Sequence, residues 1–346
     1  MGLFSSLFGK KPPAEAPSAP EAVSFDELRE GLESPDGAAR VDAGRELLDR
    51  WRNGELPAAE ILAPRLEQLL GDDEPLVRIT ALQGVRMLRK PENLAACESG
   101  VLGLLADGTP QVRAAAIWAA IRLPGETARA QVRAALQSSE ETMRFAAACA
   151  LADAHDAAAL PELTAALRDG YRRQEAISAL MSLGDADALP EVSRLFEDES
   201  LGEFDRTLVA AAMARFGDAR GGAHLISRIE TESDDRPIAA EWAGRLGVQE
   251  AIPTLTGLAE REGDAAQGAA IRALGRLKAP GAEERLLRLV ADADAPEDLR
   301  MDAAEGLAEL ATPAALDLLK QLAQGEPSEL SQLSQELLAE VEANAG

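Results

Sequence analysis

Two histidines and two cysteines are the side chains of this sequence best suited to metal binding or nucleophilic catalysis. His155 and His224 each lack a second His or Cys at metal-ligand spacing. Cys97 and Cys149 form no CxxC pair, so we expect two small buried residues in a reducing compartment rather than a disulfide framework. No P-loop, GxSxG or dinucleotide fingerprint occurs. The sequence therefore predicts no catalytic, metal or cofactor site and a protein that is not an enzyme.

The charge balance argues against the largest class of partners. Sixty Asp and Glu residues face 35 Lys and Arg residues, which gives a net charge of −25. A field of this sign repels nucleic-acid phosphates and anionic membrane surfaces. We therefore expect no nucleic-acid partner and no salt-dependent retardation of DNA.

An arginine is the most regular polar residue, and it recurs with a period of roughly 29 to 38 residues, as in solenoid proteins. Acidic residues often precede it. A guanidinium at the start of a helix in each repeat can tie adjacent turns together through carboxylates and carbonyls, so we interpret these residues as a structural ladder rather than a catalytic series. The ladder positions are Arg40, Arg78, Arg113, Arg144, Arg173, Arg206, Arg236 and Arg300, with Gln267 in place of one arginine.

The residues around each ladder position predict a pair of helices per repeat. A small residue stands three positions after each ladder position, and an apolar residue stands seven positions after it. The two residues therefore lie on one apolar stripe of a helix. Many copies end in a glycine suited to a left-handed cap, as at Gly184, Gly217 and Gly247. A Leu-Pro or Ile-Pro pair then begins the next helix.

Three segments carry a family resemblance: DDEPLVRITAL, DGTPQVRAAAIWAA and LRMDAAEGLAEL. They resemble HEAT repeats, specifically the short bacterial type related to the repeats of phycobilin lyases, over nearly all of residues 24 to 340. The resemblance implies an all-α, right-handed α-solenoid of about nine to ten helix pairs, in which the second helix of each pair lines the concave face. We expect residues 24–346 to form this solenoid and residues 1–23 to form a separate segment.

The concave face holds two unusual groups of residues. Arg215, Arg245 and Arg276 occupy the same position in three successive repeats, and Arg272 lies one turn away. They predict either a basic stripe for an acidic or phosphorylated segment, or arginines that only neutralise nearby Asp and Glu.

Trp118 marks the second group. Together with Met87 and Phe145 it predicts an apolar patch beside Arg122, which is typical of an interface anchor. The alternative is that Trp118 fills space over an alanine-rich repeat.

The N-terminal segment has a different composition. Leu3, Phe4, Leu7 and Phe8 recur at helical spacing before two lysines, and prolines then predict an extended linker. The segment is either a tether, which makes weak peripheral contact with a membrane or docks on a partner, or an inert disordered tail.

The leading hypothesis is therefore a cytoplasmic, non-enzymatic scaffold or adaptor whose concave face holds an acidic or amphipathic segment of another protein, with a membrane-peripheral location where the N-terminal segment acts as a membrane tether. The alternative is a phycobilin-lyase-like enzyme or enzyme accessory subunit, which absorbance in the visible region would reveal. The HEAT-like deoxyhypusine hydroxylases hold iron through His-Glu pairs, and no His-Glu dipeptide occurs here.

Overall fold

The computed structural model describes residues 25–53 and 59–345, and every regular element within these ranges is helical. The predicted tether at Leu3, Phe4, Leu7 and Phe8 lies outside the described residues. The chain divides into two compact units, the first up to Leu183 and the second from Gly184 onward. Each unit contains five helix pairs in its described part, which agrees with the predicted all-α solenoid of about nine to ten pairs.

In the first unit, two short helices replace the first helix of the third pair, and a 3-10 turn at Ala157–Ala159 precedes one helix. Its helices are α1 (Phe25–Leu32), α2 (Gly37–Arg52), α3 (Ala59–Leu70), α4 (Pro75–Met87), α5 (Pro91–Ala96), α6 (Glu98–Leu104), α7 (Pro110–Ala120), α8 (Glu126–Ala135), α9 (Glu141–Asp153), α10 (Leu160–Ala166) and α11 (Arg173–Leu183).

In the second unit, 3-10 turns at Ala186–Ala188 and Gln249–Ala251 each precede a proline-containing helix start. Its helices are α12 (Leu189–Phe196), α13 (Glu203–Arg215), α14 (Ala219–Glu230), α15 (Arg236–Arg245), α16 (Ile252–Ala259), α17 (Gln267–Arg276), α18 (Ala282–Ala291), α19 (Glu297–Leu310), α20 (Pro313–Ala323) and α21 (Glu329–Ala345).

The second helix of each pair carries the apolar stripe predicted from the sequence. Within each unit these helices pack against one another in chain order, α2 through α11 and α13 through α21, and the first helices pack beside them. The small residue three positions after each ladder position has no exposed surface in most repeats, because the neighbouring helix lies directly against it. These fully buried residues are Ala81, Ala116, Ala147, Ala176, Val209, Ala239, Ala270 and Ala303.

Glycines allow the closest helix contacts in the second unit. A Cβ atom on Gly275 of α17 would lie 2.4 Å from the carbonyl oxygen of Gly306 on α19, and one on Gly244 of α15 would lie 2.7 Å from the Cα atom of Ala273. Neither position therefore has room for a side chain. This close approach places charged residues of three successive helices within ion-pair distance of one another.

The predicted left-handed caps are confirmed, with φ of +71° at Gly184, +86° at Gly217 and +71° at Gly247. His155 has φ of +54° and occupies the turn position that holds glycine in other repeats. An L-residue at such an angle is unusual, so the position of His155 reflects the turn that ends α9.

The ladder arginines of the first unit share one contact. Each guanidinium donates to the carbonyl oxygen six residues earlier, at the end of the preceding helix or in the turn, where that acceptor has no partner within the helix. The pairs and distances are Arg40 to Ser34 (2.8 Å), Arg78 to Asp72 (2.7 Å), Arg113 to Asp107 (2.7 Å), Arg144 to Ser138 (3.0 Å) and Arg173 to Leu167 (3.0 Å).

Several of these guanidiniums also reach a carboxylate in the next repeat. Arg40 donates to Asp72 at 2.8 Å and Arg78 donates to Asp107 at 3.1 Å. Asp72 also accepts a hydrogen bond from the backbone N–H of Glu74 at 2.8 Å. Burial opposes ionisation of Asp72, but these hydrogen bonds outweigh it and lower the pKa of the carboxyl group. One aspartate thus stabilises its own turn and binds the arginine of the preceding repeat.

In the second unit the ladder side chains reach carbonyl oxygens seven to ten residues earlier in the chain. The contacts are Arg206 to Phe196 (2.5 Å), Arg236 to Ile229 (2.7 Å), Gln267 to Ala259 (3.1 Å) and Arg300 to Val290 (3.0 Å). Gln267 therefore provides the carbonyl contact without a charge. Arg236 adds an ion pair with Asp264 at 2.7 Å, with only 6% of the arginine and 17% of the aspartate side chain exposed.

We predict that Arg236→Ala lowers the free energy of unfolding by about 3 kcal/mol, because it leaves a buried carboxylate without its partner. Arg236→Gln leaves the same carboxylate without its ion partner but keeps the carbonyl contact as Gln267 does, so its loss should be about 1 kcal/mol smaller. Urea denaturation followed by circular dichroism measures both variants. Equal losses would show that the carbonyl contact contributes nothing.

Candidate functional site

His224 and the two cysteines lie in surroundings that suppress their reactivity. His224 is half-buried, its ring lies edge-on to Phe196 with centroids 5.2 Å apart, and burial lowers its pKa. Cys97 and Cys149 are buried, and burial raises the pKa of Cys97 to about 11. Within residues 25–53 and 59–345, no three His, Cys, Asp or Glu side chains converge as a metal site requires.

Trp118 lies half-buried on α7, and its ring is in contact with a cation from the neighbouring repeat. The guanidinium carbon of Arg86, on α4, lies 5.2 Å from the centroid of the ring. This is a cation–π contact, which orients the indole and leaves part of its surface in solvent. Met87, the last residue of α4, is also half-buried. The sequence pattern pointed to Arg122 as the cation beside Trp118, whereas the structure places Arg86 over the ring.

Among the described residues, two guanidinium groups near Trp118 have no carboxylate partner: that of Arg86, over the ring, and that of Arg122, four residues further along the chain. Arg122 is exposed in the turn that follows α7. Neither Arg86 nor Arg122 has a carboxylate oxygen within 4.0 Å in the part of the chain that the structure describes. Burial lowers the pKa of Arg86, Asp153 acts in the opposite direction, and the charge of Arg122 lowers the pKa further. We call Arg86, Met87, Trp118 and Arg122 the Trp118 site.

Phe145 does not belong to this surface, although the sequence pattern placed it there. Only 6% of its surface is exposed, and the guanidinium carbon of Arg172 lies 5.2 Å from its ring centroid. Arg172 is held over the ring by an ion pair with Glu141 at 2.7 Å. The cause is the helical phase: α9 packs against α11 and turns Phe145 toward that neighbour rather than toward solvent.

Three of the four arginines of the predicted basic stripe converge on one carboxylate. Glu241 on α15 accepts from Arg245 at 2.7 Å and from Arg276 at 2.5 Å, and Arg272 lies 3.5 Å from its second oxygen. Glu241 stands one helical turn before Arg245 on the same face of α15, so part of this pairing was visible in the sequence. We call Glu241, Arg245, Arg272, Arg276, Asp302, Glu305 and Glu309 the Glu241 cluster.

The same arginines also meet carboxylates of the following helix, α19. Arg276 pairs with Glu309 at 2.8 Å, while Arg272 pairs with Asp302 and lies 3.5 Å from Glu305. The three arginines thus face four carboxylates, so this surface is not an uncompensated basic stripe. Arg215, on α13, is exposed and has no ion pair among the described residues. The alternative interpretation, neutralisation of nearby acids, describes Arg245, Arg272 and Arg276 better.

The carboxylates of the Glu241 cluster differ in how well they are compensated. Burial would raise the pKa of Glu241, but Arg276, Arg245 and Arg272 outweigh burial and lower it. Burial raises the pKa of Glu305, and Arg272 offsets this only in part. The ionised form of Glu241 is therefore stabilised by folding, whereas that of Glu305 is disfavoured.

These opposite shifts predict opposite effects of neutralisation. Since folding lowers the pKa of Glu241, its contribution to stability is present at pH 7 and is lost as the pH falls through its folded pKa. Glu241→Gln should lower the free energy of unfolding by about 2 kcal/mol at pH 7. Since folding raises the pKa of Glu305, Glu305→Gln should leave the free energy of unfolding unchanged or increase it. Thermal unfolding at pH 7 measures both, and a larger loss in Glu305→Gln would contradict the assignment.

The repeats match a known family. The model for HEAT repeats matches residues 98–181 and 262–339. No curated protein sequence matches the chain.

Three solved or assembled structures resemble the chain at low identity. CpcE and CpcF of phycocyanin lyase from Nostoc sp. PCC7120 give 24% identity over 62% of this chain and 94% of that chain, with a TM-score of 0.40. Human deoxyhypusine hydroxylase gives 21% identity over 78% and 100%, with a TM-score of 0.30. A homology model of the full-length AP-3 complex gives 12% identity over 92% and 68%, with a TM-score of 0.49.

These three likenesses carry no information about what this chain binds. The family assignment depends instead on the in-register repeats, their helix pairs and the two matched segments. Together they show that the chain contains HEAT repeats, which the family model matches over residues 98–181 and 262–339.

Proposed function

We propose that this protein is a non-enzymatic binding scaffold whose Trp118 site holds an acidic, amphipathic segment of another protein. The observation that carries the proposal is a half-buried indole beside two guanidiniums that lack carboxylate partners among the described residues. In a chain with 60 acidic side chains, arginines without ion partners are available to an external anion.

The chemistry of the site favours a segment with both apolar and acidic side chains. The exposed part of the Trp118 ring and the half-buried Met87 provide apolar contact area, and tryptophan is prominent among the residues that dominate binding energy. Arg122 adds a charge that can form a hydrogen-bonded pair with a carboxylate or phosphate. A purely apolar segment would leave Arg122 without a partner at the interface.

The net charge of −25 affects how an acidic segment reaches this site. The field of the whole chain repels an acidic partner at long range, while the two guanidiniums attract it at short range. Moderate salt screens charges separated by more than about 10 Å at 0.1 M. We therefore expect moderate salt to accelerate association rather than slow it.

The proposal places the scaffold in the cytoplasm, with residues 1–23 as a tether to a membrane surface or a second partner. That segment lies outside the described residues. In the described helices we find none that combines the length and apolar character needed to cross a bilayer.

We predict that Trp118→Ala together with Arg122→Glu weakens partner binding about 30-fold or more, because a buried tryptophan anchor contributes about 2 kcal/mol or more. Paired pull-downs from source-cell lysate with wild type and the double variant, with partners identified by mass spectrometry, measure the loss. Circular dichroism first establishes that the variant is folded.

The matched control carries Arg129→Glu, which introduces the same charge change on α8. A partner retained by wild type and by this control but lost by the double variant supports the Trp118 site. Identical partner sets for all three proteins would refute it.

A further inference from the structure

A groove between α19 and α21 has both apolar and acidic residues in its lining. Its apolar residues are Leu333, Leu337 and Val341 of α21 and Ala308 of α19, and its volume is about 290 Å³. The three α21 residues are half-buried although they lie on a helix that packs against both α19 and α20. Solvent thus reaches an apolar ridge spaced at successive turns of a helix.

The margins of this groove carry a strong excess of negative charge. One cation, Arg276, faces Glu305 and Glu309 on α19 and Glu336 and Glu340 on α21. Arg276 is already engaged by Glu309 at 2.8 Å and by Glu241 at 2.5 Å. One arginine against four glutamates leaves the lining short of positive charge.

Glu336 and Glu340 contribute the uncompensated negative charge of this groove. Both are exposed, and neither has an ion pair in the described part of the chain. They stand one turn apart on α21, where two like charges destabilise a helix. A cation placed between them from outside would remove that repulsion.

We propose that this groove binds a short amphipathic helix, rich in lysine or arginine on its flanks, from a partner protein. The apolar ridge from Leu333 to Val341 spans about 12 Å at 1.5 Å per residue, which matches two to three turns of a helix. Apolar residues of that helix pack on the ridge, and its cations lie between the two acidic margins.

This surface is chemically opposite to the Trp118 site. Counting ion pairs among the described residues, the Trp118 site offers unpaired cations near an indole, whereas the groove offers unpaired carboxylates beside leucines and a valine. The inference does not depend on the proposed function, and variants of the two surfaces can be tested separately.

The test measures binding of a labelled 18-residue helical peptide, with leucines on one face and lysines on its flanks, to the full-length chain by fluorescence anisotropy. We expect Glu336→Lys with Glu340→Lys to weaken binding at least 30-fold. The control pair is Glu284→Lys with Asp317→Lys, two exposed positions on α18 and α20 that produce the same change in net charge. Leu337→Ala should weaken binding about tenfold at unchanged charge.

Equal weakening by the groove pair and the control pair would overturn the proposal, because it would indicate attraction by net charge alone. No effect of Leu337→Ala in a folded protein would also overturn it. Two further measurements test other occupants of the groove. One is binding of a peptide of residues 1–23 of this chain, and the other is sedimentation of the whole chain at rising concentration, which reports self-association. Tighter groove binding by that peptide, or self-association abolished by the groove pair, would replace the partner helix with this chain itself.

Discussion

The hydrogen bond from a side chain at the start of each second helix to a carbonyl oxygen of the preceding helix or turn organises every repeat from Arg40 to Arg300. A HEAT pair cannot bury its apolar faces alone, so it is stable only when adjacent pairs stack in a defined register. The alanine stripe permits close stacking but is nearly featureless and sets no register. The guanidinium group sets the register, because its planar donors must reach a carbonyl oxygen of the preceding helix or turn and, in several repeats, a carboxylate of the next repeat.

Gln267 separates the two parts of this interaction. It reaches the carbonyl of Ala259 as the arginines reach theirs, but it carries no charge for a carboxylate ahead. The carbonyl contact is thus the shared element, and the ion pair is added where an aspartate of the next turn is in reach. Arginines serve elsewhere to neutralise partly buried acids, as in the Glu241 cluster. There the close glycine contacts between α15, α17 and α19 bring charged residues of three helices together.

The two surfaces that we propose for binding lie where such compensation is incomplete. Most arginines of the second helices are engaged by carboxylates or carbonyls, and a satisfied guanidinium has little to offer a ligand. At the Trp118 site two guanidiniums lack carboxylates, and at the α19–α21 groove two glutamates lack cations, in each case among the described residues. In both places apolar surface lies beside the uncompensated charge. We propose these two surfaces, of opposite sign, as the binding surfaces of the scaffold.

The sequence alone determined the repeat, the helix pairs, the left-handed caps at Gly184, Gly217 and Gly247, and the buried stripe, because each depends on residues close in the chain or on a pattern that repeats in register. It also placed Trp118 on the exposed part of its helix, and it offered neutralisation as one reading of Arg245, Arg272 and Arg276. Only the tertiary structure decided which charges are compensated. Arg86 rather than Arg122 lies over Trp118, Phe145 is covered by Arg172, and Arg276 is shared by Glu241 and Glu309. Each of these contacts joins different helices at a few ångströms, and the distance between helices follows from packing, which no single repeat encodes.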